Sequence, residues 1–320
     1  MSALLLPLLL VLSGLSSSTL GGNVPEGPVD SPAATDDPGS VGVLIMAHGG
    51  SDEWNDSVHE AVLSLNRDMP TALAFGMADP MTLAAAVDSL EAQGVSRVAL
   101  VRLFMSGDSF LPETLYLLGL SDQVPHAIHS GHGGDAEAPA GPIRHTLELK
   151  THDDGLIDSP EAAEILADRA WDASVDPRTE SVILVAHGRG EEEANRQLLE
   201  ALEGIAGNLR QGGFRAARAA ALREDWEGKR VTAEAAIREF VEDRSEAGDR
   251  VIVVPARLSG FGPYAEVLEG LEYVPTEGLL PHPMISEWLR RQAFRISCDA
   301  GWANPLGGCA TPAPVADETR

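Results

Sequence analysis

A ten-residue phrase occurs twice in this chain. Val41-Gly42-Val43-Leu44-Ile45-Met46-Ala47-His48-Gly49-Gly50 returns as Ser181-Val182-Ile183-Leu184-Val185-Ala186-His187-Gly188-Arg189-Gly190. Each copy is a short apolar run that ends in Ala-His-Gly and opens into an acidic segment with helical periodicity. The periodic positions are Trp54, Val58, Val62 and Leu65 in the first copy and Ala194, Leu198, Leu202, Ile205 and Leu209 in the second. A chain that repeats a strand, a loop and the start of a helix in this way builds one unit twice.

Two further blocks keep the same order. Asp79 caps a helix that begins at Pro80, carries Leu83, Val87 and Leu90, and closes at Gly94. A buried strand, Val98 to Phe104, follows. Its counterpart is a helix around Ala235, Ile237 and Val241, then Gly248, then a strand from Val251 to Pro255. Both strands run into a Ser-Gly loop, Ser106-Gly107-Asp108-Ser109-Phe110 or Ser259-Gly260-Phe261-Gly262-Pro263-Tyr264. The third block pairs Gly155-Leu156-Ile157-Asp158-Ser159-Pro160 with Gly278-Leu279-Leu280-Pro281-His282-Pro283, each leading into a helix. Alternating strands and helices predict an α/β fold of two similar domains, each a parallel sheet with helices on both faces, related by internal duplication. The domains are expected over residues 41–175 and 178–297, about 120 to 140 residues each, with a link near Ser174-Val175-Asp176-Pro177-Arg178 and a tail over 298–320.

The segment before the first strand divides in two. Ala3 to Leu15 is almost wholly apolar and gives way to Ser16-Ser17-Ser18-Thr19, the length of a signal-peptide core and short of the roughly 20 residues of a membrane span. Residues 1–22 are therefore expected to be an export signal, although no Lys or Arg precedes the apolar run. Residues 23–40, rich in Pro, Gly, Ser and Asp, are expected to be a disordered linker. The mature protein is thus expected in the periplasm or outside the cell, with no stable membrane insertion after signal cleavage. In that compartment Cys298 and Cys309 are expected to form a disulfide. The 49 acidic residues against 23 basic ones leave a net charge of −26, which repels phosphate backbones and argues against a nucleic-acid partner.

In an open parallel sheet, ligands bind at the carboxyl ends of the strands, where a glycine lets backbone approach them closely. His48 and His187 would both stand at that edge. A neutral imidazole there can bind a metal such as cobalt, iron, nickel or zinc, or accept a proton near neutral pH. The acidic residues beyond them, Asp52, Glu53, Glu191 and Glu192, can receive protons or guide a cation; equally, they complement a helix dipole.

The order of these motifs resembles the CbiX-type sirohydrochlorin cobaltochelatase or ferrochelatase family, class II tetrapyrrole chelatases, in a tandem two-domain form covering residues 41–295. The resemblance implies a lyase that inserts a divalent metal, Co²⁺ or Fe²⁺, into a sirohydrochlorin-type tetrapyrrole held between two chelatase-like domains. The metal is then a substrate, and no organic cofactor is implied. Insertion requires a base for the pyrrole protons and a ligand for the metal, roles that fall to His48 and His187. Gly49, Gly188, Ser109 and Tyr264 would contact the macrocycle, and Asp108 would join the metal. The family usually carries a further histidine in the loop after the third strand, which both loops here lack. Either Asp108, Ser109 and Tyr264 take its place, or the chain is an exported, non-catalytic binder of a metal or tetrapyrrole.

Between the matching blocks lies His126-Ala127-Ile128-His129-Ser130-Gly131-His132-Gly133-Gly134, followed by His145 and His152. His126, His129 and His132 are spaced so that they can converge on a cation from a Gly-rich loop; a solvated polar loop is the alternative. The chain has no Gly-x-Ser-x-Gly elbow and no Walker pattern, which argues against a serine hydrolase and a P-loop enzyme.

Overall fold

The computed structural model describes residues 40–125, 141–303 and 306–309. The expected export signal, the linker up to residue 39, and His126, His129 and His132 lie outside the described residues. Two four-stranded sheets form the framework, and all pairings in them are parallel. The first has the order β2 (Thr71–Phe75), β1 (Val41–Ala47), β3 (Arg97–Leu103), β4 (Glu148–Thr151). The second repeats that order with β6 (Ala216–Ala221), β5 (Glu180–Ala186), β7 (Arg250–Ala256) and β8 (Val274–Pro275).

The central strands read as unbroken apolar runs because both of their faces are covered. Side chains alternate across a strand. Val43, Ile45 and Ala47 of β1 therefore enter one core, while Leu44 and Met46 enter another. In β5, Val182, Leu184 and Ala186 join the first of these cores, and Ile183 and Val185 point to a third. One face of each sheet thus feeds a single shared core, and the outer faces have separate ones.

Local signals fix the helices. Ser51 caps α1 (Asp52–Asn66), its Oγ accepting from the Trp54 backbone N–H at 3.3 Å. Asp79 caps α2 (Pro80–Ala92), accepting from the N–H groups of Met81 and Thr82 at 2.8 and 3.1 Å, with Pro80 at the first helical position. Gly94, at φ +76°, follows its end, as the sequence indicates. The outer layers are α2 with α3 (Leu111–Leu117) on the first sheet and α6 (Glu227–Glu246) with α7 (Tyr264–Val267) on the second.

The inner layer is exchanged. Helix α4 (Pro160–Ala173), the last of the first half, packs on β7 and on α5 (Glu192–Gly212) of the second half. Helix α8 (Pro283–Asp299), the last of the second half, packs on β3 and α1 of the first. A cut at residues 175–178 would therefore part each terminal helix from the sheet it covers. Ion pairs tie the exchange: Arg291 on α8 donates from Nε and Nη2 to Glu161 on α4, both at 2.6 Å. Arg290 reaches Asp68 beyond α1, and Arg295 reaches Asp154 at 2.9 Å. The expected disulfide joins Cys298 to Cys309, closing the tail onto α8. Among the described residues no helix is long and apolar enough to cross a membrane.

Candidate functional site

Hydrogen bonds give the two halves equivalent loops at the carboxyl edges of their sheets. Leu156 and Ile157 donate to the carbonyls of Phe104 and Met105 at 3.0 and 3.1 Å; Leu279 and Leu280 donate to those of Arg257 and Leu258 at 2.9 and 2.7 Å. The Gly-Leu blocks paired in the sequence thus occupy equivalent positions. Gly155 and Gly278 are required there, because a Cβ would stand 2.6 Å from Gly107 N and 2.7 Å from Arg257 O respectively.

His48 and His187 leave the ends of β1 and β5 in the same way. Each Nδ1 faces a neighbouring carbonyl oxygen, that of Gly49 at 2.8 Å and that of Gly188 at 3.1 Å. Both glycines have positive φ, +76° and +92°. A Cβ on Gly49 would press on Phe75, and one on Gly188 would meet the Arg223 backbone N at 2.9 Å. The glycines expected to receive substrate are therefore needed for the turn itself. Each imidazole touches one tryptophan: His48 stacks on Trp54 at 5.5 Å, and His187 meets Trp226 edge-on at 6.0 Å. Neither ring is enclosed. His48 is half-buried and the His187 side chain is 41% exposed.

The surroundings then diverge. The loop after β6 places Asp225 Oδ2 at 3.2 Å and Glu224 Oε2 at 4.0 Å from His187 Nε2. His48 has no carboxylate partner among the described residues. Glu224 in turn accepts from Arg257 Nη1. Arg223, nearly buried, donates to Glu192 and to the Gly190 carbonyl, and Lys229 joins both. These two cations hold the Glu192 carboxyl at about 2. Asp52 and Glu53 lie in the first turn of α1, and Glu191 stands at the N-cap position of α5 without a side-chain capping bond, the dipole-complementing placement of helix-terminal acids.

Asp108 crosses between the halves. It lies in the loop after β3, yet its Oδ1 accepts from Arg189 Nη1 at 2.9 Å and from Ser106 Oγ at 2.5 Å. Loss of some hydration to neighbouring protein atoms pushes its carboxyl up although the side chain is exposed, but the bonds from Ser106 and Arg189 outweigh that and hold it below the usual range. Arg102, buried in β3, anchors this loop by donating to the carbonyls of Gly107, Ser109 and His152. Asp158, near Arg189, Asp108 and Asp154, is pushed up mainly by burial.

One expectation is corrected here, that of Tyr264. Of the expected metal ligands, His48 and His187 stand at the ends of β1 and β5, and the Asp108 carboxylate is engaged by Arg189. Among the described residues, no three His, Cys, Asp or Glu side chains are grouped to hold a metal. Tyr264 is fully buried in the outer core of the second half, its ring 5.9 Å from the Arg257 guanidinium, and it offers no surface to a substrate. Ser109 holds its loop through the carbonyl that Arg102 engages. The residues that line the His187 edge instead are Glu224, Asp225, Arg257 and Arg189. The charged run Arg223-Glu224-Asp225 after a strand was the available signal in the sequence.

No family model matches the sequence, and no curated protein matches it. Solved structures do. The structure described as SirB from Bacillus subtilis with Fe³⁺ superposes with a TM-score of 0.58 at 12% identity, covering 82% of this chain and 97% of that one. The sirohydrochlorin chelatase SirB from Bacillus subtilis subspecies spizizenii, in complex with cobalt, gives 0.54 at 12% identity with the same coverage. The fold is that of the sirohydrochlorin chelatases. The chelatase fold spans nearly the whole of those chains, and in this one both four-stranded sheets belong to it.

Proposed function

We propose that this protein is a chelatase-like lyase whose working centre is His187 with Asp225 and Glu224, acting on a divalent metal and a tetrapyrrole. One observation carries the reading. With His187 Nδ1 donating to the Gly188 carbonyl, Nε2 of a neutral ring presents a lone pair to the Asp225 carboxylate 3.2 Å away. Two acceptors face each other only if a proton or a metal cation stands between them. The pair can therefore hold a cation and exchange it for protons, and metal insertion is such an exchange: two pyrrole N–H protons leave as the metal arrives. The chelatase fold supports it, as do the metals named with the two similar structures, iron and cobalt.

In this reading the substrates are a sirohydrochlorin-type tetrapyrrole and Co²⁺ or Fe²⁺, and the protein works after export. The Cys298–Cys309 disulfide supports export, since such bonds persist in oxidising compartments. The alternative, an exported binder of a metal or tetrapyrrole without catalysis, is favoured by the loops after β3 and β7, Ser106 to Phe110 and Ser259 to Tyr264, where the family's further histidine is replaced by other residues.

The test is the full oxidised chain mixed with sirohydrochlorin and Co²⁺ or Fe²⁺, followed by the loss of free-macrocycle absorbance. Wild type should accelerate insertion and His187→Ala should abolish the acceleration. Equal rates for the two would remove His187 from the mechanism. Tight macrocycle or metal retention without acceleration would establish the binder.

A further inference from the structure

Resting on the proposed tetrapyrrole substrate, we infer that Arg189 recognises a carboxylate on the rim of the macrocycle, and that Asp108 is a built-in stand-in which that carboxylate displaces. A polycarboxylate ring approaches a protein of net charge −26 against a repulsive field, so its acid groups need local cations. Four belong to the His187 loop or bond residues beside it: Arg189 on the loop itself, Arg223 and Lys229 at the Gly190 carbonyl, and Arg257 at Glu224. Three of them are paired with carboxylates of their own half, Arg223 and Lys229 with Glu192, and Arg257 with Glu224. Arg189 alone of the four takes its partner from the other sheet.

The geometry of that pair suits exchange. The Asp108 side chain is 81% exposed, and an exposed ion pair is worth less than about tenfold in an equilibrium. Asp108 engages one nitrogen, Nη1, of a guanidinium whose fork can grip a carboxylate at two points. The backbone on either side is fixed: Arg102 holds the carbonyls of Gly107 and Ser109, and Asn195 Oδ1 accepts from the Arg189 N–H at 3.0 Å. Asp108 can therefore turn away, still within reach of Ser106, without the loop unfolding. Arg189 lies two residues beyond His187 on the same loop, so a carboxylate bound there would hold the macrocycle at the loop that carries His187.

The experiment measures binding of uroporphyrin, a polycarboxylate porphyrin, to the full chain by fluorescence, with a cationic N-methylpyridyl porphyrin as the control. Asp108→Asn should tighten uroporphyrin binding by about threefold or more, Arg189→Gln should weaken it by about tenfold, and the double variant should match Arg189→Gln alone. The control ligand should show neither loss nor coupling. Equal tightening by Asp108→Asn in both backgrounds would reduce its effect to general charge and overturn the inference. So would unchanged binding by Arg189→Gln. Absence of uroporphyrin binding to wild type would instead bring down the tetrapyrrole reading itself, and this inference with it.

Discussion

Arg257 occupies in the second half the position that Phe104 occupies in the first, each lending its carbonyl to the Gly-Leu block of its own half. Phe104 is buried against Phe110. Arg257 instead turns to Glu224, whose other neighbour is His187. At that one position the first edge carries an aromatic ring and the second a guanidinium. Glu224 is only 12% exposed, and Arg257 is its ion-pair partner there. Arg257→Met should lower stability at neutral pH by about 2 kcal/mol, because an unpaired, nearly buried carboxylate remains. Urea unfolding checks this; an unchanged midpoint would mean that Glu224 is satisfied by water.

The two histidines should part company in metal binding. Asp225→Asn should weaken Co²⁺ affinity by about tenfold, since it removes the carboxylate facing Nε2, whereas His48→Ala should leave it within about twofold. Isothermal titration of the full chain decides, and equal losses would show that both edges serve one cation.

Glu161 and Arg291 are the two-point contact between the exchanged helices. Arg291→Ala should cost about 3 kcal/mol, because Glu161 is buried and loses both donors. Glu161→Gln should cost less. Denaturant unfolding of both variants tests the order.

Acid should act on the loops of the two edges in opposite ways. The Glu192 carboxyl sits at about 2, below its unfolded value, so its contribution to stability is complete above the ordinary glutamate range and fades as pH falls towards 2. Asp158 is raised by burial, so the folded state binds its proton more tightly than the unfolded one, and stability declines as pH rises through that window. Arg189→Gln should raise Asp158 further by removing the cation that opposes burial. Carboxyl-selective NMR titration follows both groups.

Much of the framework was legible because β1, β3, β5 and β7 are buried on both faces and so appear as continuous apolar runs. The capping of α2 by Asp79 and Pro80 was equally plain. Strand β6 was not: Ala216-Ala217-Arg218-Ala219-Ala220-Ala221 has the composition of a helix former, and only pairing with β5 makes it a strand. The exchange of α4 and α8 left no mark, since an amphipathic helix shows that it covers a sheet and not which one. In the site, the histidines and Asp108 stand out in the sequence, but the pairing of Asp108 with Arg189 does not, because the two come from different halves. Tyr264 failed for the opposite reason: its loop position suggested exposure, and its ring is core.

The crossed helices bear on how any guest enters. Two lobes joined by a simple hinge open like a clamshell; here each lobe wears the other's last helix, so spreading them would strip apolar surface from both at once. A guest is therefore admitted by side chains that swing, not by lobes that part.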